Sequence, residues 1–90
     1  MIEQLIQAIE DYKSGKLDRL GLFNKARWLF DNENSLFKFM NAVRSRSVRY
    51  ELLDCGYLVI RGRRFDLLVG ENDYPSLWAS IIPRVRDCDR

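Results

Sequence analysis

Histidine is absent from this 90-residue chain. Its absence removes the commonest general base, the Ser-His and Cys-His schemes for activating a nucleophile, and the commonest transition-metal ligand. Cysteine is sparse. Cys55 and Cys88 stand far apart with no Cys-x-x-Cys pair, so neither a redox motif nor metal-ligand spacing is present, and both read as ordinary thiols. A disulfide between them is disfavoured in the reducing compartment argued below. The five glycines are scattered, so no glycine-rich loop precedes a helix to cradle phosphates. Uninterrupted apolar runs stop at three or four residues, such as Leu58-Val59-Ile60, against the roughly 20 that span a bilayer. The opening Met1-Ile2-Glu3-Gln4-Leu5 lacks the basic start and apolar stretch of a secretion signal. The expectation is a cytoplasmic protein with no membrane span, no metal and no cofactor.

What is present suits one folding unit over residues 1–90. A hydrophobic content of 47% builds one core, and a charged fraction of 31% without low-complexity tracts argues for an ordered chain.

Ile2, Leu5, Ile6 and Ile9 recur at helical spacing opposite Glu3, Gln4, Gln7, Glu10 and Asp11, predicting a helix that stops near Lys13 ahead of Ser14-Gly15. A second helix is expected from Asp18, as cap, through Leu22, Phe23, Ala26, Leu29 and Phe30, with Trp28 off its apolar stripe. The Asp31–Asn34 stretch is turn-like. Asn34 or Ser35 would then cap a third helix carrying Leu36, Phe37, Met40 and Val43 inward, with Phe39 toward the polar side. That helix runs out into Arg44-Ser45-Arg46-Ser47, where arginines complement the negative end of its dipole.

From Val48 the chain becomes rich in strand formers. Val48–Asp54, Tyr57–Arg61 and Arg64–Val69, joined at Cys55-Gly56 and Gly62-Arg63, predict a three-stranded antiparallel meander, because connections this short forbid parallel returns. These strands are apolar on both faces, which implies helices on both sides or a second protein on one, a homodimer included. After the polar Gly70–Asp73 turn, Tyr74-Pro75 with Leu77, Trp78, Ile81 and Ile82 reads as a short C-terminal helix halted by Pro83. Residues 83–90 read as a flexible mixed-charge tail or short edge strand. The fold class is α+β.

Candidate chemistry is thin. Glu10 with Asp11, and Glu51 with Asp54, read as surface charge rather than paired catalytic carboxylates, and Asp66 as a carboxylate that pairs across its hairpin. No enzyme is expected. Charge distribution carries more information. Residues 38–64 hold Lys38, Arg44, Arg46, Arg49, Arg61, Arg63 and Arg64 against Glu51 and Asp54, a local excess of five positive charges in a chain whose net charge is +2. Arginine dominates, and its planar fork of donors suits carboxylate or phosphate.

Two functional expectations follow. The first is a protein-binding module, such as an inhibitor, an immunity or anti-defence factor, or an adaptor. It would engage an acidic partner through those seven cations, with Trp28 and Tyr57, and behind them Phe39, Tyr50 and Trp78, as aromatic anchors. The alternative is a winged-helix-like nucleic-acid regulator, with helices two and three as the helix-turn-helix and Arg61–Arg64 as the wing. A protein partner is preferred because helix three is too apolar for a reading helix. If Lys38, Asn41 and Arg44 share an open face with the hairpin arginines, nucleic acid gains. If the sheet offers Leu53, Tyr57, Val59 and Leu68 to solvent, a protein partner gains.

Overall fold

A computed structural model describes residues 1–72 and 76–84. Three helices, α1 (Ile2–Lys13), α2 (Arg19–Ala26) and α3 (Glu33–Ala42), precede four strands, β1 (Arg49–Leu52), β2 (Leu58–Arg61), β3 (Phe65–Glu71) and β4 (Leu77–Pro83). The strands form one antiparallel sheet in the order β1-β2-β3-β4.

The helices follow local chemistry. α1 buries Ile2, Leu5, Ala8, Ile9 and Tyr12, and Gly15 beyond its end takes a φ of 87°, which a Cβ would disfavour. The Asp18 carboxylate caps α2 by accepting from the Gly21 amide at 2.7 Å. α2 ends at Ala26, earlier than expected. Leu29 and Phe30 remain in the core, but in the turns that follow the helix, where both amides donate to Ala26 O and Phe30 bridges to Leu77. The cap of α3 is Asn32, which accepts from the Ser35 amide at 2.8 Å, rather than Asn34 or Ser35.

α3 starts at Glu33, and the stripe it buries differs from the expected one. Leu36, Phe39, Met40 and Val43 point inward and Phe37 is exposed. Phe39 is fully buried against the Phe30 ring, with centroids 5.3 Å apart.

The sheet corrects two expectations. The meander has four strands rather than three, and the segment read as a C-terminal helix is β4. Its seven residues pair with β3 from Glu71↔Leu77 to Phe65↔Pro83, so Gly70 and Glu71, the first half of the expected Gly70–Asp73 turn, lie within β3. Leu77 and Ala79 face the core while Trp78 is half-buried on the other side, a period of two. Tyr74-Pro75 and the tail from Val85, Cys88 included, lie outside the described residues. On the outer side of β4 the Leu77 amide donates to Leu29 O at 2.8 Å, Leu77 O accepts from Asp31, and the Ala79 amide meets the Ser35 hydroxyl at 3.4 Å.

All three helices cover one face, where Leu58, Ile60, Leu67, Val69, Leu77 and Ala79 join the helical side chains in one core. Among the described residues no helix covers the other face, so the expectation of helices on both sides is not met. That second face carries Val59, Leu68, Asp66 and Trp78. Val59 and Asp66 are buried beneath their own neighbours, and Tyr57 meets Trp78 edge to face at 5.5 Å. No described helix is long and apolar enough to cross a membrane.

Candidate nucleic-acid interface

The end of α3 and the β2–β3 turn, far apart in sequence, meet in space. Tyr12 donates its hydroxyl proton to Arg44 O at 3.1 Å, Arg19 donates to Met40 O at 3.0 Å, and buried Val43 and Val48 pin the two ends of the intervening loop. Within that loop the Ser47 amide donates to Ser45 Oγ at 3.1 Å and the Val48 amide to Ser45 O at 3.2 Å. The loop is therefore an ordered wall that presents Arg44, Ser45 and Ser47 outward.

The opposite wall is the turn at Gly62-Arg63-Arg64. Gly62 lies so close to the following strand that a Cβ there would stand 2.1 Å from Phe65 O. Its amide donates to the Asp66 carboxylate at 3.2 Å. Asp66 also accepts from Arg61 Nη1 at 2.7 Å, and Arg61 Nη2 donates to Glu51 at 2.5 Å. Arg84 Nε stands 3.5 Å from Asp66, within ion-pair range but without a hydrogen bond. One buried carboxylate thus ties the turn, Arg61 and Arg84 together. Bonds to Glu51 first and Asp66 second hold the Arg61 guanidinium proton more tightly than in a free arginine.

Between the walls runs a groove of about 770 Å³ lined by Asn41, Arg44, Ser45, Ser47, Arg49, Arg61, Arg63 and Arg84. Past Asn41 and Arg63 it continues into a second hollow of about 460 Å³ that adds Lys38, Arg64, Phe65 and Ile81. Arg44, Arg49, Arg63 and Arg64 are exposed, and no described carboxylate lies within ion-pair distance of them.

Six of the nine residues expected at the site therefore come together: Lys38, Arg44, Arg49, Arg61, Arg63 and Arg64. The other three lie elsewhere. Arg46 turns back toward the helices, its guanidinium 5.5 Å from the centre of the Tyr12 ring and its Nη2 3.5 Å from Leu17 O. Trp28 is exposed beyond α2 beneath Arg27, with 5.1 Å from guanidinium to ring centre. Tyr57 is held beside Trp78 at the far end of the sheet.

Sequence reasoning missed Arg84 and Phe65. Reading β4 as a helix halted by Pro83 leaves Arg84 in a tail or short edge strand. Phe65 stands directly after two arginines, an adjacency visible in the sequence, but its exposure is not.

An apolar cleft of about 680 Å³ between α2 and α3, lined by Leu20, Phe23, Phe37 and Met40, also opens at Asn41. Among the described residues no three potential metal ligands cluster, and Cys55 is an exposed free thiol. Comparison with protein-family models, with curated proteins and with solved structures finds no match.

Proposed function

We propose that this protein is a non-enzymatic binding protein whose arginine-lined groove holds the phosphate backbone of a nucleic acid. One observation carries the reading. Cations from α3, from β1 and from the β2–β3 turn share a continuous groove with Asn41, Ser45 and Ser47, and its second hollow adds an apolar floor that includes Phe65 and Ile81. Arginine, serine, asparagine and main-chain amides are the donor set that phosphate backbones attract.

An acidic protein surface would gain most from aromatic anchors at the centre of the contact. Trp28 and Tyr57, the anchors expected from sequence, lie outside the groove. The open face joining Lys38, Asn41 and the hairpin arginines favours nucleic acid, and burial of Val59 weakens the case for an apolar sheet surface. A reading helix placed in a major groove is not required, because α3 contributes only its C-terminal half.

The second reading is a protein partner, met by an inhibitor, an immunity or anti-defence factor, or an adaptor. The observation that favours it is the α2–α3 cleft, where exposed Leu20 and Phe37 border the cationic groove. A homodimer through the second sheet face is a further form of it, with Leu68, Tyr57 and Trp78 as the contacting residues.

Fluorescence anisotropy of labelled nucleic acid at about 50 and 200 mM salt decides between them, because log affinity falls by about 0.7–0.9 per log unit of salt for each phosphate neutralised. Micromolar binding that collapses over this range, and is lost in the Arg63→Glu/Arg64→Glu protein, is expected. No binding at the lower salt would remove nucleic acid and turn the search to an acidic protein.

A further inference from the structure

We infer that the groove selects a single strand and that Phe65 is the platform on which one unpaired base stacks. The inference rests on the nucleic-acid reading above and names the form of the ligand. Phe65 and Ile81 lie on the same sheet face as Leu67, the pairings Phe65↔Pro83 and Leu67↔Ile81 placing all of them in register. That face is the helix-covered one, and Leu67 is buried in the core. Phe65 and Ile81 are nevertheless 54% and 58% exposed. An aromatic ring with an aliphatic neighbour is thus left open at the end of the core.

Its surroundings say what would cover it. The shelf shares its hollow with Lys38, Asn41, Arg63 and Arg64, and Asn41 and Arg63 also line the phosphate groove, so the two hollows are continuous. A strand whose phosphates follow Arg44, Arg49 and Arg63 would bring a base to Phe65. Cationic grooves with aromatic platforms suit single strands, since every unpaired base has an open π-face. In a duplex those faces are already stacked on one another, and the ring has nothing to bind. An apolar protein side chain could also cover Phe65, but it would leave the repeated cations along the groove without repeated anions to meet them.

The test compares a labelled oligothymidylate with a labelled duplex of equal length, by anisotropy across a salt series. The proteins are wild type, Phe65→Ala, Phe65→Leu and Phe65→Tyr, with thermal melting to verify the fold. Wild type should bind the single strand about tenfold or more tightly than the duplex. Phe65→Ala and Phe65→Leu should both lose about 5- to 150-fold in single-strand affinity, the range that stacking on one ring supplies. Phe65→Tyr should stay within about twofold of wild type, since it keeps the π-face. The slope of log affinity against log salt should not change, because no phosphate contact is removed.

Equal affinity for both probes would overturn the strand selection. Phe65→Leu within about twofold of wild type, with salt-sensitive binding intact, would overturn the platform while leaving the groove reading in place. Absence of binding to either probe at about 50 mM salt would overturn the groove reading, and this inference with it.

Discussion

Asp66→Asn tests whether one buried carboxylate builds the cationic turn. Asp66 is 2% exposed and accepts from Arg61 at 2.7 Å and from the Gly62 amide at 3.2 Å, with Arg84 at 3.5 Å. Asparagine keeps one oxygen for Gly62 but loses the charge that faces two guanidinium groups, and its amide protons oppose Arg61. Breaking a buried pair outright costs about 3–5 kcal/mol. Two features reduce that here. The Arg61 side chain is 36% exposed, so water reaches it, and it retains Glu51. A single hydrogen bond to a charged group is worth about 1.5–3 kcal/mol, so the expected loss is about 2 kcal/mol, or a melting temperature lower by roughly 8–16 °C in a domain this small. Glu51→Gln removes the other partner of the same arginine. Because Glu51 is 56% exposed, that change should cost no more than about 0.5 kcal/mol. Urea denaturation followed by tryptophan fluorescence reads both values. Equal effects from the two variants, or a loss below about 0.5 kcal/mol for Asp66→Asn, would refute the assignment of Asp66 as the turn's buried anchor.

Gly62→Ala should destabilise the fold by about 1–3 kcal/mol, because its Cβ would stand 2.1 Å from Phe65 O and backbone on both sides must move. It should also weaken nucleic-acid binding by displacing Arg63 and Phe65, a combination that denaturation and anisotropy measure together. Tyr50 donates its hydroxyl proton to Glu10, and this bond, aided by partial burial, pushes its pKa up to about 12 from an ordinary value near 10. The unfolded state therefore loses this proton first as pH rises. The stabilisation is complete below pH 10 and declines between about 10 and 12, so Tyr50→Phe should flatten the alkaline limb of the stability profile relative to wild type.

Much of the α1 and β1–β3 architecture is legible in the residues, because each signal there is local. Helical spacing ends at a glycine in α1, and short β-rich runs are separated by Gly56 and Gly62. β4 was not legible because Leu77, Trp78, Ile81 and Ile82 satisfy helical spacing as well as they satisfy a strand that is apolar on both sides, and only pairing with β3 decides. In α3 both Phe37 and Phe39 stand within one turn of Leu36 and Met40, so helical spacing admits either as the core residue, and packing against Phe30 puts Phe39 inside. The cationic site was legible as a cluster of charge but not as a shape. Arg44 and Arg46 stand two residues apart at the end of one helix, yet one lines the groove and the other lies over Tyr12. No periodicity foretells such a divergence, which depends on the loop bonds around Ser45.

The outer side of β4 bears on how this molecule behaves when concentrated. An exposed strand edge is a template onto which other chains can add, the usual start of fibrils and runaway aggregation. Here the groups that would template are occupied in turn. Leu77 is bonded to the linker at Leu29 and Asp31, Ala79 is met by the Ser35 hydroxyl, and Pro83, in the same alternation, has no amide proton to offer. Of the amides facing that way among the described residues, that of Ile81 alone has no such occupant, and one donor is too few to seed a ladder. A last strand that is both long and apolar is thus shielded along this edge from within the fold, by a serine, a linker and a proline.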